Sequence, residues 1–155
     1  MTDTALTFGT FTIKRHYDAS LEDVFRAFSD PAARRRWYIE GDGWTIHAYE
    51  PPTELKPGAV EHSRFSPPNS DVMLTNDTVF MEVEENALLI FAYSMTLAGA
   101  PLSSSLATIQ LVAEKEGALL KFTEQGVYRD GNVAGREEGM KELLEALAKE
   151  IQSQR

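Results

Sequence analysis

The chain has 155 residues, 43% of them apolar, enough for one sizeable core, so a single domain spanning residues 1–155 is expected. Its 15 Lys and Arg stand against 24 Asp and Glu, and the resulting charge of -9 repels phosphate backbones and argues against a nucleic-acid partner. Zero cysteines exclude a disulfide frame, thiolate zinc sites and a cysteine nucleophile.

The opening residues, MTDTALTF, hold Asp3 and no apolar run of signal-peptide length. From Phe8 to Arg15 the pattern alternates, with Phe11 and Ile13 on one face and Thr10, Thr12 and Lys14 on the other, which predicts a half-buried strand. Ser20 then opens a capping-box-like Ser-Leu-Glu-Asp, and Leu21, Val24, Phe25 and Phe28 follow at helical spacing, predicting a short amphipathic helix. Asp30-Pro31 restarts a second short helix, because an acidic cap followed by proline suits a first turn. It carries Arg34, Arg35 and Arg36 into Trp37 and Tyr38. Basic and aromatic residues in one run invite a nucleic-acid reading, but on a helix successive side chains point about 100° apart and cannot form one cationic surface. At least one arginine should turn inward and meet a carboxylate, with Trp37 packed at the junction.

After Tyr38 the period changes to two. Strands are predicted at Trp44 to Tyr49, Ala59 to Phe65, Val72 to Val83, Ala87 to Leu97, Leu102 to Ala113 and Ala118 to Gln125, separated by turn clusters rich in Gly, Pro, Asn and Glu. Strands joined so briefly must be antiparallel neighbours. Ala87 to Tyr93, the longest apolar stretch, suits a buried strand and is too short to span a bilayer, so a cytoplasmic protein without stable membrane insertion is expected. From Gly135 onward Met140, Leu143, Leu144, Leu147 and Ile151 form one stripe of a long closing helix. The expected architecture is α+β: strand, two short helices, six strands, and a curved antiparallel sheet of about seven strands wrapped around the long C-terminal helix.

That order resembles the START-related helix-grip superfamily (SRPBCC). The stretch FTIKRHYDASLEDVFRAFSDPAARRRWY, together with TNDT, FAYSMTL, SSLAT, FTEQG and REEGMKELLEAL, looks like its bacterial branch of chaperone-ATPase-activator-like and polyketide-cyclase-like proteins. The segment YEPPTELKPGAVEHSRF departs from that branch, lacking the D-x-R and paired glycines that follow its second strand. The resemblance implies a small hydrophobic molecule, such as a lipid, polyketide or aromatic metabolite, held between sheet and helix. It carries two alternatives: an interaction protein acting on a chaperone ATPase, and a cyclase or hydrolase. A homodimer and a chaperone are the macromolecular partners it leaves open, and it implies no cofactor.

Among the candidate residues, His16, His47 and His62 lack the spacing of a metal site, so no metal is expected. Glu124 falls on the face of Leu120 and Phe122, where an inward carboxylate is costly unless paired or hydrated. The alternation also allows a strand-end glutamate already in solvent before Gly126. If Glu124 is inward, its cationic partner is expected to be Arg64, on a face with Val60 and His62, or an arginine of the opening helix. Ser103 and Ser105 share a face with Ala107, Ile109 and Leu111 and read as pocket wall, since no G-x-S-x-G elbow surrounds them. No catalytic residue is assigned. The residues expected to line a ligand cavity are Trp37, Trp44, Arg64, Tyr93, Ser105, Phe122, Glu124, Met140 and Leu144. Gly139 is expected where the helix approaches a strand or pocket closely.

Overall fold

The computed structural model describes residues 5–41 and 43–154. Strand β1 (Thr7–Tyr17) leads into α1 (Leu21–Ser29) and α2 (Pro31–Arg34), which continues as one π-helical turn over Arg35–Ile39. Six strands follow: β2 (Thr45–Glu50), β3 (Val60–Ser66), β4 (Leu74–Glu84), β5 (Leu88–Leu97), β6 (Ala100–Glu114) and β7 (Gly117–Tyr128); α3 (Val133–Ser153) closes the chain. The seven-stranded antiparallel sheet has the order β1-β7-β6-β5-β4-β3-β2, so the first strand is carried across the fold to pair with the last. Among the described residues no helix is long and apolar enough to cross a membrane.

Local chemistry accounts for the boundaries. Ser20 caps α1 by accepting a hydrogen bond from the Asp23 amide at 3.1 Å, and Asp30 accepts from Ala32 ahead of α2, with Pro31 in its first turn. The β5–β6 hairpin is tighter than the four-residue turn expected. Ala98 (φ 51°) and Gly99 (φ 84°) both take left-handed backbone, so β6 starts at Ala100. Strand β7 runs past Gly126 to Tyr128, and α3 starts at Val133, capped by Asn132.

The inner sheet face and α3 share one core. Phe11 and Ile13 of β1, Phe91 of β5, Ile109 of β6 and Leu120 and Phe122 of β7 are buried with Leu144 and Leu147. Tyr17 reaches from β1 to donate to the Leu144 carbonyl at 2.9 Å, fixing the helix over the β1 edge of the sheet. Val24, Phe25 and Phe28 of α1 complete this half of the core.

The three arginines leave the helical segment in three directions, and each finds a carboxylate where one pair was expected. Arg34 makes a two-pronged contact with Glu61 of β3 (Nε–Oε2 2.7 Å, Nη2–Oε1 2.9 Å), and both side chains are almost fully enclosed. Its guanidinium lies 4.3 Å from the Tyr38 ring centre and 5.4 Å from that of Phe80, and Tyr49 donates to the same carboxylate at 2.7 Å. Arg35 pairs with Glu40 at the surface, and Arg36 reaches across to Glu150 of α3 (3.0 and 2.8 Å). No cationic surface results.

The structure corrects the facing of β3 and shows an irregularity in β2. Arg64 is exposed on the outer sheet face with Val60, whereas Glu61 and Ser63 point inward, the reverse of the expected facing. In β2 a register shift between Ile46 and Ala48 breaks the alternation at His47, turning Tyr49 toward Glu61.

Burial works to raise the Glu61 carboxyl, but the Arg34 charge and the hydrogen bonds from Arg34 and Tyr49 outweigh it and hold the group below its ordinary value. Its stabilising contribution is therefore complete above the unfolded carboxyl pKa of about 4.3 and is lost as pH falls through the lower folded value. Arg34→Met, which strands the carboxylate, should cost about 3–5 kcal/mol in denaturant unfolding, and adding Glu61→Gln should recover part of it. The loss of thermal midpoint below about pH 4 should be shallower in Glu61→Gln. An acid limb identical to that of the parent would show that this pair does not govern it.

Candidate ligand site

Helix α3 packs over the β1 edge of the sheet, and the curvature leaves a space between it and β3–β5, closed above by the π-helical turn. The resulting cavity measures about 940 Å³. Its walls come from Trp37, Tyr38 and Trp44 on one side, Phe65, Tyr93 and Met95 of the sheet beneath, and Met140 and Leu143 of α3. Inward positions of β3 and β4 here carry the small or polar Ser63 and Asn76 in place of large apolar groups, which is why the space is not filled.

One end of the cavity is polar and built on Glu124, whose exposure is 0%. Tyr93 donates to one carboxylate oxygen at 2.5 Å, and Ser105 and Tyr128 donate to the other at 3.0 and 2.6 Å. Arg136 of α3 stands 3.7 Å from that second oxygen and donates through Nη1 to the Tyr93 hydroxyl at 3.2 Å. Gly126 makes room for this cluster: a Cβ there would lie 2.6 Å from both the Ser105 Oγ and the Tyr128 hydroxyl.

Burial, reinforced by the Glu124 charge, lifts Tyr93 well above the ordinary phenol value, and burial with a Glu124 hydrogen bond pushes Tyr128 up to about 12. Both phenols are therefore protonated donors at neutral pH. Burial works against the Arg136 charge, but Tyr93 and Glu124 more than compensate and keep it a firm cation. Tyr38 is likewise raised to about 12, chiefly by burial, with Arg34 opposing.

The expected site residues separate into groups. Trp37, Trp44, Tyr93 and Met140 border the cavity. Trp37 is fixed there by its indole N–H to the Ala27 carbonyl at 2.7 Å and by an edge contact with Phe28, whereas Trp44 is 41% exposed at the mouth against Phe65. Ser105 and Glu124 sit behind Tyr93 and Arg136, in contact with them or with each other. Phe122 and Leu144 are core, with Phe122 stacked on Phe11. Arg64, on the outer face, is not the partner of Glu124; that role falls to Arg136, which the sequence reading passed over. A signal was present, since Arg136 lies one helical turn ahead of Met140 on the same stripe. Gly139 borders the cavity, the second of the two settings expected for it, and approaches no strand closely: a Cβ there would meet nothing within 4 Å. The histidines each have a separate partner, as His16–Glu114, His62–Asp77 and His47–Ser66.

Comparison with known proteins agrees with this architecture. A crystal structure of a Rhizobium loti protein is 38% identical, covering 94% of this chain and 99% of its own, with a TM-score of 0.84. A protein from Rhizobium leguminosarum is 30% identical over 98% and 99% of the two chains, with a TM-score of 0.90. DynU16, a protein of the dynemicin biosynthetic locus, is similar in fold at 17% identity over 94% of this chain and 48% of its own, with a TM-score of 0.66. No curated protein matches the chain. The profile of the Activator of Hsp90 ATPase homolog 1-like proteins matches residues 18–152, and the chain therefore belongs to that family, within the helix-grip superfamily.

Proposed function

We propose that the protein binds a small, largely apolar molecule, such as a lipid, polyketide or aromatic metabolite, in the cavity between the sheet and α3. The observation that carries this reading is a space of about 940 Å³ with aromatic and thioether walls and one rigid polar end. Small-molecule sites commonly measure about 300–1,000 Å³ and carry few, well-placed polar groups. The apolar walls supply affinity by burying ligand surface, and the Tyr93–Arg136 end supplies orientation.

Catalysis by Glu124 is the weaker reading. A general acid or base must come within hydrogen-bond reach of its substrate, and both oxygens of this carboxylate are already engaged behind Tyr93 and Arg136. Stimulation of a chaperone ATPase is a second reading, supported by the description of the matched family. An ATPase rate of the host Hsp90-type chaperone that is unchanged by added protein would remove it.

Two substitutions at Gly139 test its helical setting and the binding reading in turn. Gly139→Ala adds a methyl group to open space and improves helix propensity, so it should raise stability by about 0.5–1 kcal/mol. The parent protein should retain a small molecule in native mass spectrometry, and Gly139→Leu, which projects a larger group into the cavity, should abolish that retention with the thermal midpoint preserved. Parent protein that carries no small molecule and takes up none from an extract of apolar metabolites would defeat the proposal.

A further inference from the structure

Resting on that binding reading, we propose that the cavity selects a neutral ligand carrying an acceptor oxygen, a ketone, ester or amide carbonyl, over a carboxylate, and that Glu124 sets this preference by cancelling the charge of Arg136. Two observations carry the inference: which hydrogen-bonding capacity remains at the polar end, and which net charge stands there.

Arg136 has five N–H donors and no acceptor. Nη1 is spent on Tyr93, while Nε and Nη2 make no hydrogen bond to any described residue although the side chain borders the cavity. The proton of the Tyr93 hydroxyl is committed to Glu124. What this end offers a ligand is thus unspent donors, and the complementary group is an oxygen acceptor.

Charge decides which acceptor. An arginine alone would favour a carboxylate through a fork of two hydrogen bonds. Here the guanidinium is 3.7 Å from a fully enclosed carboxylate, so the pair is neutral as a unit. A ligand carboxylate at Arg136 would bring a second negative charge into the same enclosed region as Glu124, repulsion that low-dielectric surroundings amplify. The cavity border adds no excess of positive charge: Arg36, Lys149 and Arg136 stand with Glu40, Asp130, Glu142, Glu145 and Glu150, of which Glu150, Glu40 and Glu145 are paired with Arg36, Arg35 and Arg15. A carbonyl takes the free N–H groups without adding charge.

The test titrates three fluorescent probes with one ring system into the full chain at about pH 7.5: 2-acetylanthracene, anthracene-2-carboxylate and 2-ethylanthracene. The ketone should bind at least ~10-fold tighter than the carboxylate, equivalent to about 1.4 kcal/mol, and tighter than the ethyl compound. In Glu124→Gln, which keeps the shape and most hydrogen bonds but uncovers the Arg136 charge, the ketone-to-carboxylate ratio should fall at least ~10-fold. In Arg136→Met the advantage of the ketone over the ethyl probe should vanish. The parent comparison stands on its own should Glu124→Gln fail to fold. A carboxylate that binds the parent as well as the ketone does, or a ratio unmoved in a folded Glu124→Gln, overturns the inference while leaving ligand binding intact. Failure of all three probes, the ethyl compound included, to bind folded parent protein overturns the binding reading itself.

Discussion

The Arg34–Glu61 fork is the contact on which the shape of the cavity depends. A sheet curling around one helix has a covered half, where α3 lies on β1 and the core is apolar, and an open half, where β3 and β4 have no helix above them. With α1 packed on the apolar half, the segment from α2 through the π-helical turn spans that opening. Arg34 ties it down to β3, and Arg36 ties it sideways to α3 through Glu150. Burying a full charge is tolerable only because Glu61 receives two bonds from Arg34 and one from Tyr49, with the guanidinium lying against Tyr38 and Phe80. An apolar pair could have held the roof with less desolvation cost. The charged fork adds direction: it fixes the rotation of the turn, and with it the positions of Trp37 and Tyr38.

The π-helical turn follows from the same demand. Trp37 must face the core and the Ala27 carbonyl while Arg34 and Arg36 reach the sheet and α3. A widened turn over Arg35–Ile39 distributes these side chains differently from an α-helix, and such turns occur preferentially at functional sites. The run of basic and aromatic residues that first suggests a polyanion grip is instead spent on the protein's own ion pairs, with Arg34 buried, Arg35 and Arg36 partly exposed, and each guanidinium on its own carboxylate.

How much of this could be read from the chain depended on how strongly each residue's neighbours polarise its element. The β-strands and α3 were legible because their apolar periods are long, and Phe122 and Leu120, two and four residues before Glu124, put it on the inner face, but alternation equally allowed a strand end in solvent before Gly126; it is β7 running on to Tyr128 that encloses it. Strand β3 failed the same test. VEHSRFS holds one aliphatic and one aromatic residue on opposite faces, so alternation alone gives no inside, and choosing the Val60 face inverted Glu61 and Arg64 together. The facing was settled instead by the Arg34 guanidinium, an interaction across 27 residues that no local pattern encodes. The partner of Glu124 was hidden for a related reason, since a helix stripe shows which residues face a sheet but not where along it each one lands.

Glu61 and Glu124 then present one physical solution at two places. Each is an enclosed carboxylate on the inner sheet face, met by an arginine from a helical element and by tyrosine hydroxyls from the sheet, and each cluster is neutral as a unit. Neutrality is what allows a cavity between them to remain apolar, because an uncompensated charge on either wall would draw water in or forbid burial altogether. The two differ in what they leave over. Arg34 spends Nε and Nη2 on Glu61 and presses its plane against aromatic rings, so it serves the frame. Arg136 spends only Nη1 on described residues and keeps one edge toward the cavity, so the same device leaves hydrogen-bond donors unspent there.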